Sequence, residues 1–197
     1  NVPRDATQVD LVQDCAPVNC IASGVQRSLH YLSSEAIGER SITRRAAALR
    51  FLGHYVGDLH QPLHISNFDD LGGNLIKVNW YDKPSNLHAI WDYEMLNTMG
   101  ITYPESLAFL ATVKPGGAPG SVLSWMNESL HLARSHAYSD GSSRIIKNGE
   151  TLGDAYLNRN KPIVLQRLAL AAKRLASLIN RIADGETPVA FVLTAAP

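Results

Sequence analysis

The sequence predicts a mainly α-helical protein with one small β-hairpin, on three observations. Four long segments repeat apolar residues at three- and four-residue steps, which is the helical period. Only one short run, over residues 75–81, alternates in the manner of a strand. No composition shift and no long Pro/Gly/Ser linker divides the 197 residues, so a single domain over 1–197 is expected.

Residues 1–17 lack periodicity and carry Pro3, Asp10, Asp14 and Pro17, which reads as an extended or looping entry. Cys15 and Cys20 are spaced to close a tight ring. They read as a short-range disulfide in preference to two free thiols, which suggests an oxidising compartment. Over residues 19–34, Ile21, Ala22, Val25, Leu29 and Leu32 form a helical stripe, with His30 a solvated or packed histidine. Ser41 is a candidate N-cap for a long helix whose stripe is Ala46, Leu49, Leu52, Tyr55, Val56 and Leu59, and Pro62 ends it. The alternating run 75–81 then predicts a strand in a hairpin that starts near the Gly72-Gly73 turn.

Asn86 is the candidate N-cap of the next helix, and a Gly/Pro loop over 113–121 precedes an amphipathic helix over 121–138. The sequon Asn127-Glu128-Ser129 falls mid-helix, where such a triplet is more often chance than a used glycosylation site. A polar turn over 140–153 leads to a last helix that starts at Pro162, with Ile163, Leu168, Leu170, Ala171, Leu175, Leu178 and Ile182 as its stripe. The apolar tail TPVAFVLTAAP suggests no chemistry.

Lys plus Arg and Asp plus Glu both total 18, so there is no global basic field to draw in nucleic acid from a distance. Any such partner must meet a local site. No apolar run approaches the roughly 18 residues of a membrane span.

That local site is written between residues 51 and 92, in His54-x3-Asp58-x5-His64 and His88-x3-Asp92. Residues four apart on a helix sit about 40° apart, so His54 and Asp58 share a face, as do His88 and Asp92. His64 follows Pro62 and approaches from another direction. Imidazole and carboxylate are the usual ligands of catalytic zinc, which keeps three protein ligands and an open position. His64, His88 and Asp92 can supply such a set, and His54 with Asp58 part of a second, Asp58 bridging two ions. One His-x3-Asp pair is more often a surface ion pair than a metal site. Two pairs and His64 within 39 residues are not so easily dismissed. His60 is expected to hydrogen-bond behind the ligands rather than to ligate.

The run GHYVGDLHQPLH, followed by GGN and then SNLHAIWD, resembles the S1/P1 nuclease family, and the similarity extends from Asn1 to about Ile182. Members of that family are mostly helical secreted enzymes with a trinuclear zinc cluster. They hydrolyse single-stranded DNA, RNA and 3′-nucleotides to leave 5′-phosphates. The resemblance therefore implies the helical fold shared by P1 nuclease and zinc phospholipase C, and a secreted or periplasmic location. It implies that His54 and Asp58 bind one zinc, that Asp58 bridges to another and so acts in catalysis, and that His64, His88 and Asp92 hold a third. It makes Leu71, Gly72, Gly73 and Asn74 part of the nucleotide pocket, and it includes the Cys15–Cys20 ring. In the family the first ligands lie upstream of the point matched by Asn1. An N-terminal quarter that completes the cluster is thus expected to be missing, with three zinc ions in the complete domain and only the His64/His88/Asp92 site complete in this chain. The alternatives are a zinc phospholipase C or a catalytically incomplete, metal-binding fragment. Against the phospholipase, the last ligand pair is His-x3-Asp rather than His-x3-Glu.

Overall fold

The computed structural model describes residues 2–15, 20–33, 39–67, 69–114, 120–142 and 144–186. It is mainly helical. The entry segment contains one helical turn, α1 (Leu11–Asp14), because the Asp10 carboxylate accepts the otherwise orphaned N–H groups of Val12 and Gln13. Val2 is tied down by donating its N–H to the Ser66 carbonyl. The disulfide between Cys15 and Cys20, with Cα atoms 5.0 Å apart, closes the approach to α2 (Ile21–Ser33).

Helix α3 (Glu39–His60) begins before Ser41, which lies inside it and is therefore not its N-cap. Its end is as expected. Pro62 lacks an N–H and pushes Gln61 to an extended backbone, and a short 3₁₀ turn, Pro62–Ile65, follows. Ala22, Val25 and Leu29 of α2 meet Leu52, Val56 and Leu59 of α3 in a first core. Val122, Trp125, Met126 and Leu130 of α7 (Val122–Leu132) join it, as does Leu178 of α8 (Asp154–Ala183). A reciprocal pair of hydrogen bonds between Ser121 and Ser124 caps α7, which runs on into a π-turn over Ala133–Ala137.

The second core lies between a sheet, a short helical stretch and the first half of α8. Strand β1 (Lys77–Trp80) pairs antiparallel with β2 (Lys83–Asn86), Lys77 opposite Asn86 and Trp80 opposite Lys83. The hairpin follows the Gly72-Gly73 turn, as expected, and its own turn is Tyr81-Asp82. Tyr81 takes a positive φ of 53°, and its hydroxyl donates to Asp154 at 2.6 Å. The polar turn expected over 140–153 contains a third strand, β3 (Thr151–Leu152), parallel to β1 and too short to alternate visibly. Asn86 caps the next stretch as expected, accepting from Ala89 N. That stretch is α4 (Leu87–Ala89), a π-turn over Ile90–Glu94, and α5 (Met95–Thr98). A short helix, α6 (Leu107–Thr112), leads toward α7.

Helix α8 starts eight residues before Pro162, correcting the expected start. Burial of Tyr156, Leu157 and Asn160 in that first part offsets the roughly 3 kcal/mol that an interior proline costs. The apolar tail lies outside the described residues. Among the described residues no helix is long and apolar enough to cross a membrane. Both cores meet where α3 ends, Leu59 belonging to the first and Leu63 to the second. The candidate ligands gather at that seam.

Candidate metal centre

The His54 and Asp58 side chains emerge from adjacent turns of α3, with Nε2 of His54 3.2 Å from Oδ2 of Asp58. The proline-terminated end of that helix turns the chain so that His64 faces back, its Nδ1 3.4 Å from Oδ1 of Asp58. On its other side, Nε2 of His64 lies 3.2 Å from Oδ1 of Asp92. Nε2 of His88 lies 3.3 Å from Oδ2 of Asp92, and the His64 and His88 rings stack with centroids 5.0 Å apart. The five residues thus form one row, His54–Asp58–His64–Asp92–His88, in which each carboxylate faces two histidines with separate oxygens.

Within the row, one nitrogen each of His64 and His88 and one oxygen of Asp92 lie within 4.8 Å of one another. Ligands about 2.0–2.1 Å from a tetrahedral zinc are separated by about 3.3 Å, close to the 3.2 and 3.3 Å contacts that the two Asp92 oxygens make, one with His64 and the other with His88. The donor set of two imidazoles and a carboxylate fits zinc. His54 is the outlying member, 64% exposed against 17% for His88.

The backbone supports this set. Asp92 sits in the π-turn, a wider turn that recurs at functional sites. Nδ1 of His88 is 2.7 Å from the Gly72 carbonyl, which can only accept, so Nδ1 carries a proton and Nε2 is the atom turned toward Asp92 and available to a metal. Gly72 has a φ of +64°, and a Cβ there would strike the Leu63 carbonyl, so only glycine fits. The next N–H, of Gly73, donates to the buried carboxylate of Asp70, which also accepts from Tyr138 and pairs with Arg4. Besides preceding the hairpin, the Gly72-Gly73 pair holds a histidine.

Electrostatics separate two histidines four residues apart. Burial pulls His64 down, but Asp58 and Asp92 outweigh it and push the group up to about 9. Burial would raise Asp92, yet hydrogen bonds from His64, His88 and Gln61 hold it well below the usual carboxylate range. Burial lowers His60 to about 4, helped by the positive charge of Arg167 and Arg174. Nδ1 of His60 bonds the Val56 carbonyl, and its Nε2 lies 2.9 Å from Nη1 of Arg174. Its hydrogen bonds therefore go to the helix and to α8, not to a candidate ligand. Glu128 of α7 receives both Arg167 and Arg174 at 2.7 Å. Arg167 also donates to the His60 carbonyl and to Ser129, fastening the end of α3 to α8.

A cleft of ≈ 410 Å³ opens over the row, with Asp58, His64 and Asp92 on its polar side and Leu96, Val164 and Leu168 on its apolar side. Leu71 to Asn74 do not line it: Gly72 and Gly73 are buried, and Leu71 is exposed elsewhere. Two supporting residues escaped the sequence reading. Gln61 donates to Asp92 at 2.7 Å while its Oε1 caps Leu63 N, and its place before Pro62 was the available signal. Asp70 had none beyond its proximity to the glycine pair.

A family model described as S1/P1 Nuclease matches residues 1–184. The chain is 34% identical over 199 residues to Endonuclease 3 of Arabidopsis thaliana, covering 90% of this chain and 66% of that protein. It is 32% identical over 216 residues to Endonuclease 5 of the same plant, covering 96% and 71%. With Nuclease S1 of Aspergillus oryzae it shares 28% identity over 204 residues, covering 92% and 69%. The chain thus spans about two thirds of the length of the curated relatives that it matches.

Proposed function

Since the chain belongs to the S1/P1 nuclease family, we propose that it belongs to a zinc-dependent phosphodiesterase that hydrolyses single-stranded DNA and RNA to 5′-phosphate products and removes the phosphate of 3′-nucleotides. The observation that carries this reading is the convergence of His64, His88 and Asp92 within 4.8 Å beside an open cleft. His64, His88 and Asp92 would hold one ion, and His54 with Asp58 would contribute to the others. Zinc bound there supplies Lewis-acid polarisation of the phosphoryl group and activation of water.

The protein's own residues do the positioning. Gly72 fixes the His88 tautomer, and Gln61 holds Asp92 so that both of its oxygens face imidazole nitrogens. His64 would hold an ion through Nε2, since its Nδ1 faces Asp58, and that carboxylate would both orient the imidazole and serve as a ligand itself. Since His64 holds a proton below about pH 9 without metal, that proton must leave for Nε2 to ligate. The apolar side of the cleft, at Leu96, Val164 and Leu168, suits a nucleobase face and keeps water off it. Hydrolysis adds water across the P–O3′ bond, leaving phosphate on the 5′ carbon and a free 3′-hydroxyl. The disulfide supports an oxidising, secreted or periplasmic location.

Release of 5′-nucleotides from single-stranded DNA by the full-length protein, with and without chelator, tests the reading. Chelator-sensitive release is expected. Its absence, or faster hydrolysis of phosphatidylcholine than of nucleic acid, would overturn it.

A further inference from the structure

A second hollow of ≈ 380 Å³ lies between α2 and α3. It is lined by Arg27, Tyr31, Arg44, Phe51 and Tyr55, over a floor that includes Gly24. Phe51 and Tyr55 stack with centroids 5.8 Å apart and planes inclined by 17°. Phe51 is nevertheless 54% exposed and Tyr31 44%, so both rings remain open to a ligand. Gly24 fixes this arrangement, since a Cβ there would lie 2.6 Å from the Tyr55 ring, which rests flat on α2. Neither Arg27 nor Arg44 forms an ion pair among the described residues.

Stacking faces beside free guanidinium groups are what a single strand of nucleic acid requires. Bases of any identity stack on the rings, and phosphates meet the cations. Tyr55 adjoins His54, with ring centroids 5.7 Å apart, so the hollow and the ligand row touch on α3. Phe51 precedes Asp58 by seven residues, about 10 Å along the helix and nearly on the same face, and Arg44 lies about 21 Å from it. We propose that the α2–α3 hollow is a distal subsite for the single-stranded substrate, holding nucleotides outside the cleavage point. This rests on the proposed nuclease reading, but binding can be measured apart from hydrolysis.

The test is fluorescence anisotropy of a labelled oligothymidylate of about a dozen residues, with full-length protein in chelator, so that no cleavage enters. Phe51→Ala is expected to weaken binding about ten-fold, from loss of one stacking face. Arg44→Ala should lower the slope of log affinity against log salt by about 0.7, the value for one phosphate contact on a single strand. Tyr103→Ala, an exposed aromatic far along the chain, serves as the control and should change neither. The proposal fails if Phe51→Ala and Arg44→Ala bind as the parent does, or if Tyr103→Ala is equally harmful. It also fails if the parent self-associates in sedimentation and Phe51→Ala abolishes that, which would give the face to a second copy. If the oligonucleotide binds as expected but chelator-sensitive hydrolysis is absent, the subsite stands and the nuclease reading falls.

Discussion

His60 and His64 flank the same proline turn and differ in almost every physical respect. His64 stands between two carboxylates at the edge of a cleft and is held positive without metal. His60 is sealed in the core against Arg174 and is held neutral. One side of the turn thus concentrates negative charge, at Asp58 and Asp92, while the other concentrates positive charge, at Arg167 and Arg174 around the single carboxylate of Glu128. The contrast teaches that the ligand row is half of a pair. The acidic row gains from a cation, while the buried basic cluster needs none and keeps the end of α3 fixed whether or not one is bound.

The strongest way to break this contrast is at Glu128. Glu128→Gln leaves two buried arginines without a counter-charge, which should cost about 3 kcal/mol, the low end for such a loss because Glu128 is 37% exposed. Urea unfolding should register it equally in zinc and in chelator. A loss seen only in zinc would mean that the cluster belongs to the metal site.

His88→Ala attacks the other half. Two ligands are too few for a tetrahedral ion, so the zinc count should drop by one. The stabilisation conferred by zinc, about 2.7 kcal/mol at a hundred-fold excess over the dissociation constant, should vanish. Melting in chelator should hardly change, and His131→Ala should keep the full zinc response. Equal effects of the two substitutions would remove His88 from the ligand set.

A milder change separates support from ligation. Gly72→Ala imposes a positive φ on alanine and a contact with the Leu63 carbonyl, together about 1–3 kcal/mol. By shifting the carbonyl that His88 leans on, it should also weaken zinc binding about ten-fold. Calorimetric titration with zinc that matched the parent would detach the loop from the site.

The smallest effect is in the pH dependence of the metal-free protein. His60 has its folded value lowered from 6.5 to about 4, so the unfolded chain binds the extra proton between those values and stability rises with pH there. His64 is raised from 6.5 to about 9, so its contribution is complete below 6.5 and is lost as pH climbs toward 9. Melting in chelator should therefore peak near pH 6.5, with a fall of a few degrees on each side. His64→Asn should flatten only the alkaline limb. Flattening of both limbs would show that the two histidines do not titrate independently.

What the sequence made legible follows the range of each interaction. His54 with Asp58, and His88 with Asp92, are four residues apart, and Asn86 caps Ala89 three residues on, so local helix geometry reveals them. Pro62 likewise announces the end of α3. Gln61 meets Asp92 across 31 residues, and the arginines of α8 reach His60 across 107 and 114, distances at which no periodicity speaks. Two local features were less legible. The hairpin follows Gly72 and Gly73 as expected, but its turn uses Tyr81 in a conformation that its side chain disfavours. Pro162 suggested a helix start, but packing of Tyr156 and Leu157 extends α8 ahead of it.

The long reach of α8 has a consequence for the order of events as the chain is made. The five candidate ligand residues lie between positions 54 and 92, and a ribosome delivers them well before Arg167 and Arg174. Contacts this distant in sequence demand costly loop closure and tend to form late. Until they do, the end of α3 lacks its fastening, and the nascent histidines and carboxylates are loose chelating groups rather than a shaped site. Metal acquired at that stage would be held by whichever ligands happened to be near. If the proposed site holds metal, selective loading would follow the docking of the last helix.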